Sequence, residues 1–367
     1  MGSMLAIGLM SGTSRDGIDA ALIETDGEGV VWPLGFVDIA YTPAVRELIA
    51  QACGVALTCD APRDNVVIDE ATRVITLLHV EAVRQLLRQS GHTPRDIELI
   101  GFHGHTVAHR PDLGWTWQIG DARILADACA IDVIHDFRSN DVAAGGEGAP
   151  LIPVYHAAMA AGLAKPALLV NLGGIANITY IGNDGALVAC DTGMANALID
   201  DWTFAQTGAA FDQDGALAAR GRVNQAIVDA MLDHPYFDDP PPKSLDRDDF
   251  SIAPVRGLSP EDGAATLTAF SAQALALTLR HLPDAPAHIL VAGGGRKNST
   301  LMAMIEAACG VPVTAIDTNG WNGDATEAEG FAYMAVRHVR HLPISFPRTT
   351  GVPAPVMGGI RINARRN

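Results

Sequence analysis

Two periods of hydrophobic and polar residues run along this chain, and each half opens in the same way. Leu5-Ala6-Ile7-Gly8-Leu9-Met10 is an apolar run, Ser11 to Gly17 is rich in Ser, Gly and Thr, and Ile18 to Glu24 alternates apolar with polar. That order predicts a strand, a glycine turn and a return strand, a hairpin rather than the strand-to-helix passage of a dinucleotide-binding fold. Helical spacing of Val74, Ile75, Leu78, Ala82, Val83, Leu86 and Leu87 predicts a helix over 69–89, stopped by Gly91. Residues 98–103 read as a buried strand opening into a loop with His103, His105 and His109, and 131–135 as another strand. Gly145-Gly146-Glu147-Gly148-Ala149-Pro150 reads as a lobe boundary or a binding loop.

The second half repeats the grammar. Residues 167–170 predict a strand, 171–177 a glycine turn and 178–181 a return strand. Helices are expected over 196–207, 264–281, 301–308 and 326–340, a strand over 289–292 with a glycine turn at 293–298, a long polar loop over 233–254, and an irregular tail over 348–367. Three strand–turn units, two of them hairpins opening each half, predict two related α/β lobes. At 367 residues the chain has room for two lobes of about 150–200 residues each.

Charge narrows the function. The net charge is −17, from 25 Lys and Arg against 42 Asp and Glu, which makes a poor generic nucleic-acid binder. A phosphorylated ligand remains open to it, if backbone N–H groups and a metal ion neutralise the phosphates. No apolar stretch approaches ~20 residues, so no membrane span is expected. No basic segment precedes the first strand, so a signal peptide is not expected. Five scattered cysteines without a CxxC suit a reducing cytoplasm, where the protein is expected to reside.

A turn of Ser, Gly and Thr can wrap phosphate oxygens with N–H groups and hydroxyls, and Gly12 and Gly17 permit close backbone approach. Asp16 could hold the water shell of Mg²⁺. A polar β-turn is the plain alternative, and no Walker A sequence is present. Two hairpins on phosphates with a third glycine turn against an adenosine is the layout of the actin/hexokinase-type ATPase fold.

An ordered set of segments then carries a resemblance. It comprises Ile7-Gly8-Leu9-Met10-Ser11-Gly12-Thr13-Ser14 with Asp16-Gly17, His103-Gly104-His105-Thr106, Gln118-Ile119-Gly120-Asp121 and Asp136-Phe137-Arg138. Gly148-Ala149-Pro150-Leu151, Asn171-Leu172-Gly173-Gly174-Ile175-Ala176-Asn177, Asp191-Thr192-Gly193, Gly293-Gly294-Gly295 with Asn298, and Glu327-Ala328 continue it over nearly the whole chain. The chain resembles 1,6-anhydro-N-acetylmuramic acid kinases. The resemblance implies a two-lobed α/β fold of actin/hexokinase (ribonuclease H-like) type with a cleft between lobes. The first lobe is expected over 1–145, completed by 331–367, and the second over 146–330. It also implies ATP, Mg²⁺, a homodimer, and a reaction that opens the anhydro bridge with water and phosphorylates O6 in cell-wall recycling.

By the same resemblance Asp191 is the base that activates water. Ser11, Gly12, Thr13, Ser14, Arg15, Asp16, Gly17, Ile18 and Asp19 form the first phosphate hairpin, and Asn171, Gly173, Gly174 and Asn177 the second. Gly293, Gly294, Gly295 and Asn298 face the adenosine. His103, Gln118, Asp136, Arg138, Gly148, Ala149, Pro150 and Glu327 contact the sugar, and Asp16 and Asp191 could both orient Mg²⁺ through water. Alternatives stay open: Asp191 or Thr192 could cap the next helix, Arg138 and Glu327 could form an ion pair bridging lobes, and the histidines could bind a metal. The chain departs from the family pattern at His105, Glu147, Met194-Ala195 and Leu245-Asp246. An ordinary sugar or acid kinase of the same fold is the nearest rival, and a metal-dependent hydrolase a more distant one.

Overall fold

The first apolar run and its polar turn form the hairpin β1 (Met4–Ser11) and β2 (Gly17–Thr25), and β3 (Val31–Ala40) extends it as an antiparallel meander. This is a computed structural model, and it describes residues 2–12 and 14–365. Helix α1 (Pro43–Ala56) starts on the Thr42 side chain, which accepts from the Val45 N–H, with proline in its first turn. Helix α2 (Val66–Ser90) is capped by Asn65 and stopped by Gly91 in the left-handed region.

The three histidines expected on a loop stand on a strand instead. Strand β4 (Leu99–Arg110) continues past His103 because β5 (Trp115–Ile119) pairs antiparallel with its outer half, from His105 opposite Ile119 to Arg110 opposite Trp115. Next come α3 (Ala122–Cys129), capped by Asp121, then β6 (Asp132–His135), α4 (Ser139–Ala143) and α5 (Pro153–Met159).

The second half builds β7 (Ala167–Leu172), β8 (Ile175–Ile181) and β9 (Leu187–Met194), then α6 (Asn196–Thr207) and α7 (Gln225–Leu232). The segment 233–254 is a long connection holding only short 3₁₀ turns. It leads to α8 (Pro260–Thr278), β10 (His288–Ala292), α9 (Ser299–Cys309) and β11 (Val313–Ala315). The chain closes with α10 (Thr326–Val339), α11 (Pro347–Thr350) and β12 (Ile360–Ile362). The tail is therefore not irregular throughout, since β12 pairs antiparallel with β6.

Two sheets share one connectivity. Five strands of the first lie in the order β6-β4-β1-β2-β3, and those of the second in the order β11-β10-β7-β8-β9. In each, the first three strands of the half are antiparallel neighbours, and the next two join them in parallel. The expectation of two related α/β halves thus has a topological counterpart. In the first sheet α10 packs on β1, β2 and β4, while α2 packs against β2 and β3. In the second half, Trp202 of α6 and Phe270 of α8 are wholly buried, and the Trp202 indole donates to the Pro260 carbonyl at 2.8 Å.

Contacts divide the chain into Met1–Ala161 with Ala325–Asn367, and Gly162–Asp324. The junctions fall later and earlier, respectively, than 145/146 and 330/331. The reason is local: Gly148 N–H donates to Asp141 Oδ1 (2.6 Å) and Glu147 N–H to the Thr350 carbonyl (2.7 Å), which hold 145–150 in the first unit. Tyr155 of α5 also donates to Glu329 of α10 at 2.5 Å.

Candidate active site

In the first unit the turn after β1 is held from below. Ser11 is buried, and its hydroxyl lies 2.7 Å from the Tyr41 hydroxyl and 2.8 Å from His105 Nδ1. Its side chain is spent inside the fold, so it acts on the turn by anchoring it. Beyond it, Gly12 accepts from the Arg15 N–H (3.1 Å), and Asp16 Oδ1 accepts from the Ser14 hydroxyl (2.7 Å). Arg15 sits at a φ of 57°. Gly17 has no room for a Cβ, which would lie 2.5 Å from the Ile39 carbonyl oxygen. Ile18 is wholly buried and pairs with Ile39 in the β2–β3 ladder, and Asp19 pairs with Met10 across the hairpin. Thr13 lies outside the described residues.

A second group in this unit gathers around Arg138. Its Nε and Nη2 lie 3.1 and 3.0 Å from His103 Nε2, and Nη1 donates to the Gly148 carbonyl at 2.8 Å. His103 Nδ1 faces the Gly104 carbonyl at 2.9 Å. Nδ1 therefore carries the proton and Nε2 accepts, so the ring is neutral; burial and the Arg138 charge hold its pKa well below the usual histidine range. Burial also lowers Arg138 to about 10, with Glu327 and Asp141 opposing, so it keeps its charge at neutral pH. Glu327 is pushed up by desolvation, with Arg138 opposing and Asp16 adding, yet part of its side chain reaches solvent.

Other expected sugar-side residues have structural partners. Gln118 donates to Thr106 and Thr116 hydroxyls (3.2 and 2.8 Å), and Asp136 Oδ1 accepts from the Ser139 hydroxyl at the start of α4 (2.6 Å). Ala149 and Pro150 are partly exposed beside Gly148, and Glu147 is exposed. The three histidines face different partners: Arg138, Ser11 and, for His109, Thr116 at 2.9 Å. Among the described residues no group of three His, Cys, Asp or Glu side chains is placed to hold a metal ion.

In the second unit two glycine turns come together. The Gly173 carbonyl accepts from the Asn196 main chain (3.0 Å) and side chain (2.8 Å), and the Gly174 carbonyl from Ala195 and Ala197. A Cβ on Gly293 would lie 2.3 Å from Asn171 Oδ1, so the turn over 293–298 packs directly on the second hairpin. Gly295 abuts Leu172 and Asn196, Gly294 has open space, and Asn298 is buried as the cap of α9. Arg296 locks this turn, donating to Asp317 (2.6 Å), Asp324 (2.8 Å) and the Gly293 carbonyl (3.0 Å).

Asp191 stands inside β9, opposite Asn177. Strand β9 is the outer strand of its sheet, and the segment 243–245 closes its free edge: Asp191 N–H donates to the Lys243 carbonyl, and Leu245 N–H donates to Asp191 Oδ2, both at 3.0 Å. Tyr236 donates its hydroxyl to the Asp191 carbonyl (2.7 Å), while the Lys243 ammonium donates to the Tyr236 carbonyl (2.7 Å) and sits 4.3 Å above its ring. Burial pushes the Asp191 carboxyl up to about 6, the Leu245 N–H opposing and Asp246 adding. Neither Asp191 nor Thr192 caps α6; Ala195 is its N-cap residue, and Thr192 donates to the Ala176 carbonyl. Leu245 meets Asp191 through its backbone, so the departure there leaves this contact intact.

Tyr41, Tyr236, Lys243 and Leu245 escape a sequence reading. They act through a hydroxyl, a backbone amide or a ring brought from 30 to 54 positions away, without a local motif.

Two sheets of one connectivity, each opened by a hairpin with a glycine turn, and a half-buried carboxylate beside the second turn form the frame of this α/β protein. The sequence model for anhydro-N-acetylmuramic acid kinase matches residues 4–363, and the chain belongs to that family. A relative from Rhizorhabdus wittichii carrying this name is 57% identical over 361 residues, covering 98% of this chain and 99% of the relative. One from Zymomonas mobilis is 54% identical over 360 residues, covering 97% and 99%. Component A of the (R)-2-hydroxyglutaryl-CoA dehydratase of Acidaminococcus fermentans shares the fold, with a TM-score of 0.50 at 10% identity over 92% of this chain and 99% of that one. Among the described residues no helix is long and apolar enough to cross a membrane.

Proposed function

We propose that this protein uses ATP and water to open the 1,6-anhydro bridge of 1,6-anhydro-N-acetylmuramic acid and phosphorylate O6, yielding N-acetylmuramic acid 6-phosphate and ADP in cell-wall recycling. The observation that carries the mechanism is Asp191, a half-buried carboxylate held on one oxygen by the Leu245 N–H and raised to about 6. A base with that pKa is ionised at neutral pH yet basic enough to take a proton from water. The water oxygen bonds to the anomeric carbon as the C1–O6 bond breaks. O6 leaves with its electron pair and attacks the γ-phosphorus, the bond to the ADP oxygen breaks, and the proton rests on Asp191.

Arg138 presents a fixed, charged fork suited to the lactyl carboxylate of the sugar, with His103 and Gly148 orienting it. Glu327 lines the same group. The turns at 12–17 and 173–174 take the phosphates, and that at 293–298 the adenosine. Asp16 or Asp191 would hold Mg²⁺ through its water shell. When bound, Mg²⁺ would neutralise charge on the phosphates. A cytoplasmic homodimer completes the reading.

The test is a coupled assay with ATP, Mg²⁺ and 1,6-anhydro-N-acetylmuramic acid. ADP should appear one-for-one with a new reducing sugar phosphate, and Asp191→Asn should abolish both. ADP without a reducing end would make this a plain sugar kinase, and the absence of sugar-dependent ADP would remove the substrate assignment.

A further inference from the structure

The second glycine turn has donors and a cation that its own fold does not consume. The Gly173 and Gly174 carbonyls are taken by main-chain N–H groups at 195–197 and by the Asn196 side chain, whereas neither glycine's N–H donates to another described group. Beside them lies Arg247: its Nη1 is 4.0 Å from where a Cβ on Gly174 would stand. The side chain is largely exposed, and Nη2 donates to Asp201 Oδ1 at 2.7 Å, which aims the guanidinium without occupying Nη1 or Nε.

The same segment fixes the backbone on which Arg247 rides. Two residues earlier Leu245 N–H holds Asp191, and one residue earlier Asp246 N–H donates to Asp249 Oδ2 at 2.8 Å across a short 3₁₀ turn. In a chain of net charge −17, a positive group aimed at a glycine turn with unspent N–H donors is a local reversal of field. A planar fork of donors matches phosphate oxygens, and backbone N–H groups complete such a cradle.

We infer that Arg247 is a phosphate-binding residue of the second glycine turn, contacting the phosphoryl oxygens of the nucleoside triphosphate. The inference rests on the kinase reading above and adds a side chain to a site otherwise lined by backbone and acids. Asp201 is its positioning residue.

Isothermal titration with ATP, without sugar, tests it on the wild type and on Arg247→Ala, Arg247→Lys, Asp201→Asn and Asp191→Asn. Loss of a charge-assisted contact should weaken ATP binding about 10- to 100-fold in Arg247→Ala. Arg247→Lys should lose less, since it keeps the charge but not the fork, and Asp201→Asn less again. Thermal unfolding of all three should match the wild type, because the pair is exposed. ATP binding by Arg247→Ala within about twofold of wild type would overturn the inference. So would a loss accompanied by destabilisation that Arg247→Lys and Asp201→Asn do not reproduce in graded order. Turnover by Asp191→Asn would sink the base assignment and leave the Arg247 result standing.

Discussion

Asp191 shows how one residue trades stability for chemistry. Its carboxyl is raised from 3.8 to about 6 by burial, so the folded state prefers it protonated. The stability this favours is full below pH 4 and is lost as pH rises through about 6, a cost on the order of 3 kcal/mol at pH 8. Asp191→Asn, which still accepts from the Leu245 N–H, should therefore be more stable than wild type at pH 8 and equal to it below pH 4; chemical denaturation at the two pH values measures this. In activity the sign reverses. The base works ionised, so kcat/KM should fall about tenfold per pH unit below about 6 and level off above it, and a pH–rate profile flat down to pH 5 would remove Asp191 as the base. Its role was implied by the family resemblance alone. Its holder was not, because a backbone amide 54 positions away carries no side-chain signal.

At the scale of elements, the placement of Glu327 depends on how closely α10 approaches the first sheet. A Cβ on Gly8 of β1 would lie 1.7 Å from the Ala328 carbonyl oxygen, and one on Gly101 of β4 would lie 2.0 Å from that of Phe331. The helix meets bare strand backbone there, which glycine alone permits. Gly8→Ala or Gly101→Ala should cost about 3 kcal/mol or more by overpacking and should raise KM for the sugar above that for ATP, as α10 shifts with Glu327. Equal KM values with an unchanged unfolding midpoint would show that the helix has slack. Helices α2 and α10 were readable from their period, and the glycine turns from their composition. Strand β3 was not: Pro33 and Gly35 interrupt it, and Trp32 and Leu34 stay exposed on an outer strand whose ladder depends on β2.

Across the whole molecule the charge of −17 acts as a diffuse repulsion, while surface pairs such as Arg73–Glu70 and Arg88–Glu81 are exposed and contribute little. Screening should therefore stabilise the protein. Raising NaCl from about 0.02 to 0.2 M at pH 8 should lift the melting temperature by on the order of 2 °C, and a fall would mean that ion pairs outweigh the net repulsion. The duplicated connectivity of the two sheets belongs to this scale too. Two hairpins hinted at it in the sequence, but the parallel partners β4, β6, β10 and β11 had to be placed before the halves matched.

By itself the sequence determined the hairpin that opens each half, the glycine turns and the long amphipathic helices. These follow from local spacing, since side-chain period and turn chemistry act over a few residues. Only the tertiary structure decided that Ser11 faces inward between Tyr41 and His105, that the histidines stand on one paired strand, that β12 returns to β6, and that the 243–247 segment closes over Asp191. Each of these is a hydrogen bond or ladder formed between distant segments, and its energy is set by where the chain returns, which no local pattern encodes.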